Sequence, residues 1–165
     1  MFKINDYVVY GLTGVCLIAD IKIEKNFSND EIECYILQPV YHDKMIIKTP
    51  VDNPKVLMRE IISKDEVLSI IASIPEKKTN WINNVRLRKE YFKTALRTGK
   101  SEELIKIIKT IYLEKVERSS IGKRLMQIDE DTMKIAEKQL YEEFAIALNI
   151  SPDEVASYII GHISY

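Results

Sequence analysis

The hydrophobic repeat of this 165-residue chain changes once, from a period of two to a period of 3.6, near residue 63. A strand sends successive side chains to opposite faces, whereas a helix returns a residue to the same face every three or four positions. One change of period therefore divides the chain into a β region followed by an all-α region. Candidate strands are Asp6 to Tyr10, Gly14 to Ile23, Ile32 to Pro39, Lys44 to Thr49 and a short piece at Val56 to Arg59, separated by turn signals at Gly11-Leu12-Thr13-Gly14 and Asn26-Phe27-Ser28-Asn29-Asp30. Five short strands in so little chain predict a small curled barrel of the SH3-like or Tudor-like kind.

Beyond residue 63 the punctuation is that of helices. Ser63 or Asp65 caps a helix to about Ser73, which Pro75 ends, and the pattern resumes after Asn80 as far as Arg97, with Thr98-Gly99 as its stop. Ser101-Glu102-Glu103-Leu104 reads as a capped start, with Leu104, Ile105, Ile108, Ile111 and Tyr112 as the apolar stripe and Ser119, Ser120 and Gly122 as the break. A longer helix runs from about Asp129 to Leu148, closed by Asn149. A last one starts at Ser151-Pro152-Asp153-Glu154 and runs toward Ile163. The expected fold class is α+β: a β-barrel domain over residues 1–62 and a helical bundle over 63–165.

The formal charge of -1 argues, taken whole, against an affinity for nucleic acid. Mapped by segment it argues the reverse. Residues 77–124 carry 14 basic and 5 acidic side chains, a local net of +9, while residues 125–165 carry 2 basic and 8 acidic. Such block asymmetry points to an acidic partner, with pairing of the blocks across the bundle as the plainer alternative. Two cysteines, Cys16 and Cys34, have no CxxC spacing and no histidine neighbours. They read as small core residues of a reduced, cytoplasmic protein. Neither a secretory n-region and h-region nor an apolar run of membrane-spanning length is evident.

Enzyme signatures are absent from the sequence. The 5 glycines form no phosphate-binding loop, His42 and His162 belong to no ligand cluster, and Glu142-Glu143 reads as a solvated helix face rather than an acid/base couple. The expectation is a protein without enzymatic activity, cofactor or metal.

Trp81 stands apart. A lone tryptophan is commonly a core anchor. This one follows Lys77-Lys78-Thr79-Asn80, precedes Asn83-Asn84, and sits at the expected start of a helix that carries Arg86, Arg88, Lys89 and Lys93. Basic and amide groups hold phosphates and base edges, while a large aromatic can wedge beside an exposed base. The candidate DNA-binding set is Trp81, Asn80, Arg86, Arg88 and Lys89, with Lys123 and Arg124 at the far end of the basic segment.

Phe2-Lys3-Ile4-Asn5-Asp6-Tyr7-Val8-Val9-Tyr10, Met45-Ile46-Ile47-Lys48-Thr49-Pro50, Thr79-Asn80-Trp81 and Leu140-Tyr141-Glu142-Glu143-Phe144-Ala145 follow one another over nearly the whole chain. Together, and in this order, they resemble the CarD/CdnL family of bacterial transcription regulators. The resemblance implies a Tudor-like domain that binds the RNA polymerase β subunit, through Lys48 with Ile47 and Met45 beside it, and Lys22 nearby. It implies a helical domain that contacts promoter DNA, weakly and largely independent of sequence, at the upstream edge of the transcription bubble, where the tryptophan matching Trp81 enters the minor groove and supports the open complex. The implied protein is monomeric and associates with the nucleoid through polymerase. Two departures stand out: many relatives carry a basic pair where this chain has Asn83-Asn84, and a polymerase-facing basic position falls near Glu24. The rival expectation is a protein-interaction adaptor in which Trp81 is core and DNA is not touched.

Overall fold

The computed structural model describes residues 1–163; residues 164 and 165, the end of the expected helical domain, lie outside the described residues. It comprises two compact units, Met1–Ile61 and Ile62–Tyr165.

The first unit is one antiparallel sheet built from β1 (Tyr7–Tyr10), β2 (Gly14–Lys25), β3 (Glu31–Pro39), β4 (Ile47–Pro50) and β5 (Met58–Glu60), in the order β4-β3-β2-β1-β5. Each of these strands lies near its expected place, because alternation and turn residues are local signals. A 3-10 turn over Gly11–Thr13 joins β1 to β2. It needs Gly11 at φ +49°, and a Cβ there would also meet Val56 Cγ1 at 3.0 Å. The Asn26 Oδ1 accepts the backbone N–H groups of Ser28 and Asp30, which shapes the tip of the β2–β3 hairpin.

The sheet does not close into the expected small barrel. β4 pairs only with β3 and β5 only with β1, so the two ends of the ladder do not meet. At four and three residues, these end strands are short. The core of the unit is Val8, Cys16, Ile18, Tyr35 and Leu37, with Phe2, Tyr10, Ile21, Ile47, Val51 and Met58 packed against it. Cys16 and Cys34 are both buried, in keeping with core residues.

The second unit contains α1 (Lys64–Ser73), α2 (Val85–Thr98), α3 (Ser101–Ser120), α4 (Gln127–Leu148) and α5 (Pro152–His162). Ser63 and Glu66 form a reciprocal capping box at α1, and Ser151 and Glu154 form another at α5, where Pro152 opens the helix. Gly99 and Asn149, both left-handed, close α2 and α4. Ile71, Leu104, Ile107, Ile111, Leu140 and Phe144 are among its largest fully buried side chains.

Two readings of this unit are corrected. Ser101 is not the N-cap of α3: Lys100 occupies that position without a side-chain cap bond, and the Ser101 hydroxyl instead donates to Glu143 Oε2 at 3.1 Å. Glu142 and Glu143 are not a solvated face. They are 7% and 1% exposed, and Glu143 Oε1 also accepts the Ile62 backbone N–H at 3.0 Å. Its carboxylate thus joins the entry to α1 and the first turn of α3 to the C-terminal part of α4, and satisfies groups that would otherwise be buried unpaired. No described helix is long and apolar enough to cross a membrane.

Candidate functional site

On the sheet, the strand register sorts the candidate polymerase-binding residues by face. Residues directly opposite one another on neighbouring strands share a face, as do residues two apart on one strand. Lys48 and Asp20 both lie opposite Ile36, and Lys22 lies two residues beyond Asp20, so Lys48 and Lys22 stand on the same side. Lys48 pairs there with Glu24 and Lys22 with Asp20. The acidic residue at the position expected to be basic is therefore a partner of Lys48. Ile47 lies opposite Leu37, is partly buried and packs against the core, on the face away from the two lysines. Met45 precedes β4 and is exposed.

In the helical unit, Trp81 lies before α2 rather than on it. Residues 77–83 have no regular structure, and Asn84 is the N-cap of α2, its Oδ1 accepting the Leu87 N–H at 3.0 Å. An asparagine-rich run offers the backbone side-chain partners in place of helical ones, and the helix starts only where one of them can cap it. Asn80, next to Trp81, falls in the irregular segment.

The tryptophan is partly buried, with the Arg88 guanidinium 4.3 Å and the Arg118 guanidinium 5.8 Å from its ring, and with Phe92 tilted against it at 6.5 Å. Both cations lie within the reach of a cation–π contact. The Trp81 Nε1–H is buried and meets no acceptor among the described residues.

Arg88 requires a correction as a phosphate contact. It is 2% exposed. Its Nε and Nη2 donate to the two carboxylate oxygens of Asp129 at 2.9 and 2.8 Å. Its Nη1 donates to the Ile82 carbonyl at 2.8 Å and to that of Asn83 at 3.3 Å, and Nη2 also reaches Met126 Sδ at 3.7 Å. All five N–H groups of a guanidinium are thereby used, and none is left for a phosphate.

Arg86, Lys89, Lys123 and Arg124 are exposed; Arg86, 87% exposed, makes a surface pair with Glu90 on the next turn. Arg118 was not among the expected residues. It is held by Glu114 Oε1 at 2.8 Å, with Nη1 3.5 Å from the Arg124 carbonyl, which sets a basic side chain beside Trp81 from a distant helix. No local signal separates Arg118 from the other charges of α3. No cluster of three or more His, Cys, Asp or Glu among the described residues could hold a metal ion.

Residues 2–62, which contain the open sheet, match the family model of the CarD-like/TRCF RID domain, an RNA polymerase-interacting domain, consistent with the resemblance to CarD/CdnL regulators. The match supports an RNA polymerase-interacting, transcription-related protein. A comparison with curated proteins gave no match.

Proposed function

We propose that the chain is a non-enzymatic transcription regulator in which residues 1–62 form a Tudor-like domain that docks on the RNA polymerase β subunit and residues 63–165 form a domain that contacts promoter DNA at the upstream edge of the bubble. The observation that carries the polymerase half is the RID-domain match over residues 2–62. Lys48, Lys22 and Met45 are the exposed side chains for that contact, and the open edge of β4 adds unpaired backbone groups that a partner strand can join.

The DNA half is supported by Trp81 among two guanidiniums and by the exposed cations Arg86, Lys89, Lys123 and Arg124 in the basic segment. A side chain that favours only the opened, distorted form of DNA shifts the population toward that form. Docking on polymerase raises the local concentration of weak DNA contacts, so sequence specificity is not required of them. Asn80 beside Trp81 adds an amide able to reach a base edge or phosphate.

Partial burial of Trp81 is also what an adaptor without DNA contact would have. Footprinting of a polymerase–promoter complex separates the two. Added protein extends protection at the upstream bubble edge if it contacts DNA; an unchanged DNA footprint with retained polymerase binding favours the adaptor.

A further inference from the structure

The segment that carries Trp81 has no regular structure, yet it is tied down at both ends by cations reaching carbonyl oxygens. On the N-terminal side, Lys109 Nζ from α3 donates to the carbonyls of Ile74, Pro75 and Lys77 at 2.7, 3.1 and 2.8 Å. On the C-terminal side, Arg88 Nη1 takes the carbonyls of Ile82 and Asn83, the two residues that follow Trp81. The same guanidinium lies 4.3 Å from the indole ring and is fixed by Asp129 at the start of α4. The indole N–H has no acceptor among the described residues, so stacking and the tethered backbone set the ring's orientation there.

We propose that Arg88, held by Asp129, and Lys109 are positioning residues for Trp81. They fix a loop-borne aromatic before any partner arrives. This rests on the reading of Trp81 as the group that engages opened DNA, and deepens it: ordering the loop in advance removes an entropy loss that binding would otherwise incur. Arg88 never touches DNA in this arrangement. Its fork serves three ends at once, namely the carboxylate, the loop carbonyls and the ring face, which a lysine's single ammonium cannot do.

The test uses the full chain, in which Trp81 is the single tryptophan and its emission reports this site alone. Arg88→Met with Asp129→Leu removes both charges together and fills their volume, a replacement that buried pairs often tolerate. Emission wavelength, acrylamide quenching and anisotropy of Trp81 are read in the free protein, with circular dichroism to confirm folding, and open-complex lifetime is read with polymerase. The expected result is a folded double variant with red-shifted, more readily quenched and less anisotropic emission, approaching the urea-unfolded protein, and a shortened open-complex lifetime. Arg88→Lys, which keeps a charge opposite Asp129 but loses the fork, is expected to fall between wild type and the double variant. A folded double variant with wild-type emission and quenching overturns the proposal. Loosened emission with an unchanged lifetime supports the positioning role and counts against the DNA-wedge reading instead. Should the double variant not fold, Lys109→Met, at the opposite end of the loop, provides the same readings with the same expected and contrary results.

Discussion

A guanidinium at 2% exposure is tolerable only when a counter-charge and a full set of acceptors travel inside with it, and Arg88 has both. Removing only one member of the Arg88–Asp129 pair would strand the other charge, at a cost of about 3–5 kcal/mol. Elsewhere on α4, burial shifts the titration of two neighbouring groups. Desolvation raises the Glu137 carboxyl above its ordinary value, more than Lys115 and Lys134 lower it, and desolvation followed by the Glu137 charge raises Tyr141 one turn away. An acid whose folded pKa is raised binds its proton more readily in the native state, so its contribution to stability falls as pH rises through the window above 4.5. Glu137→Gln is therefore expected to be more stable than wild type at neutral pH, with the difference vanishing as pH falls below that window. Urea denaturation at several pH values checks this; a less stable Gln variant at pH 7 would contradict the assignment.

At the scale of elements, the start of α2 decides how the loop bearing Trp81 meets a helix. Asn84 caps α2 through its side chain, whereas Asn83 contributes its carbonyl to Arg88 and has an exposed side chain. Asn84→Ala is expected to cost about 0.5–2 kcal/mol of stability. Asn83→Arg should leave the melting temperature near wild type while strengthening DNA binding and steepening its log–log salt dependence by roughly one unit. Thermal melts and binding titrations over a salt series read both, and an Asn83→Arg protein with unchanged salt dependence would remove this side chain from the DNA-facing surface. Other helix ends, unlike this one, were legible in the sequence. Caps such as Ser63 with Glu66, Gly99, Asn149 and Ser151 with Pro152 act within a few residues, and they stand where the residue types indicate. Contacts between elements carry no such signal: Arg88 meets Asp129 at a separation of 41 residues, and Glu143 meets Ile62 at 81. The spacing of Arg88 with Phe92 and Ala95, all buried on one face of α2, was the available hint that this arginine points inward. The open sheet was hidden for a related reason, since closure depends on whether strands at opposite ends of the ladder meet.

For the whole molecule, the charge of -1 conceals a basic middle and an acidic C-terminal segment, and part of that opposition is spent internally through Arg88 and Asp129. The cations left exposed are fewer than the sequence total suggests. Free-protein affinity for DNA is thus expected to be weak and salt-sensitive, and dependent on polymerase docking to have an effect. The most direct test is the lifetime of the promoter open complex, measured with polymerase and saturating wild-type protein or Trp81→Ala, with polymerase binding of both proteins measured in parallel. The DNA-wedge reading predicts a lengthened lifetime with wild type and a return toward the polymerase-alone value with Trp81→Ala, while both proteins bind polymerase equally. Equal lifetimes with the two proteins would contradict it.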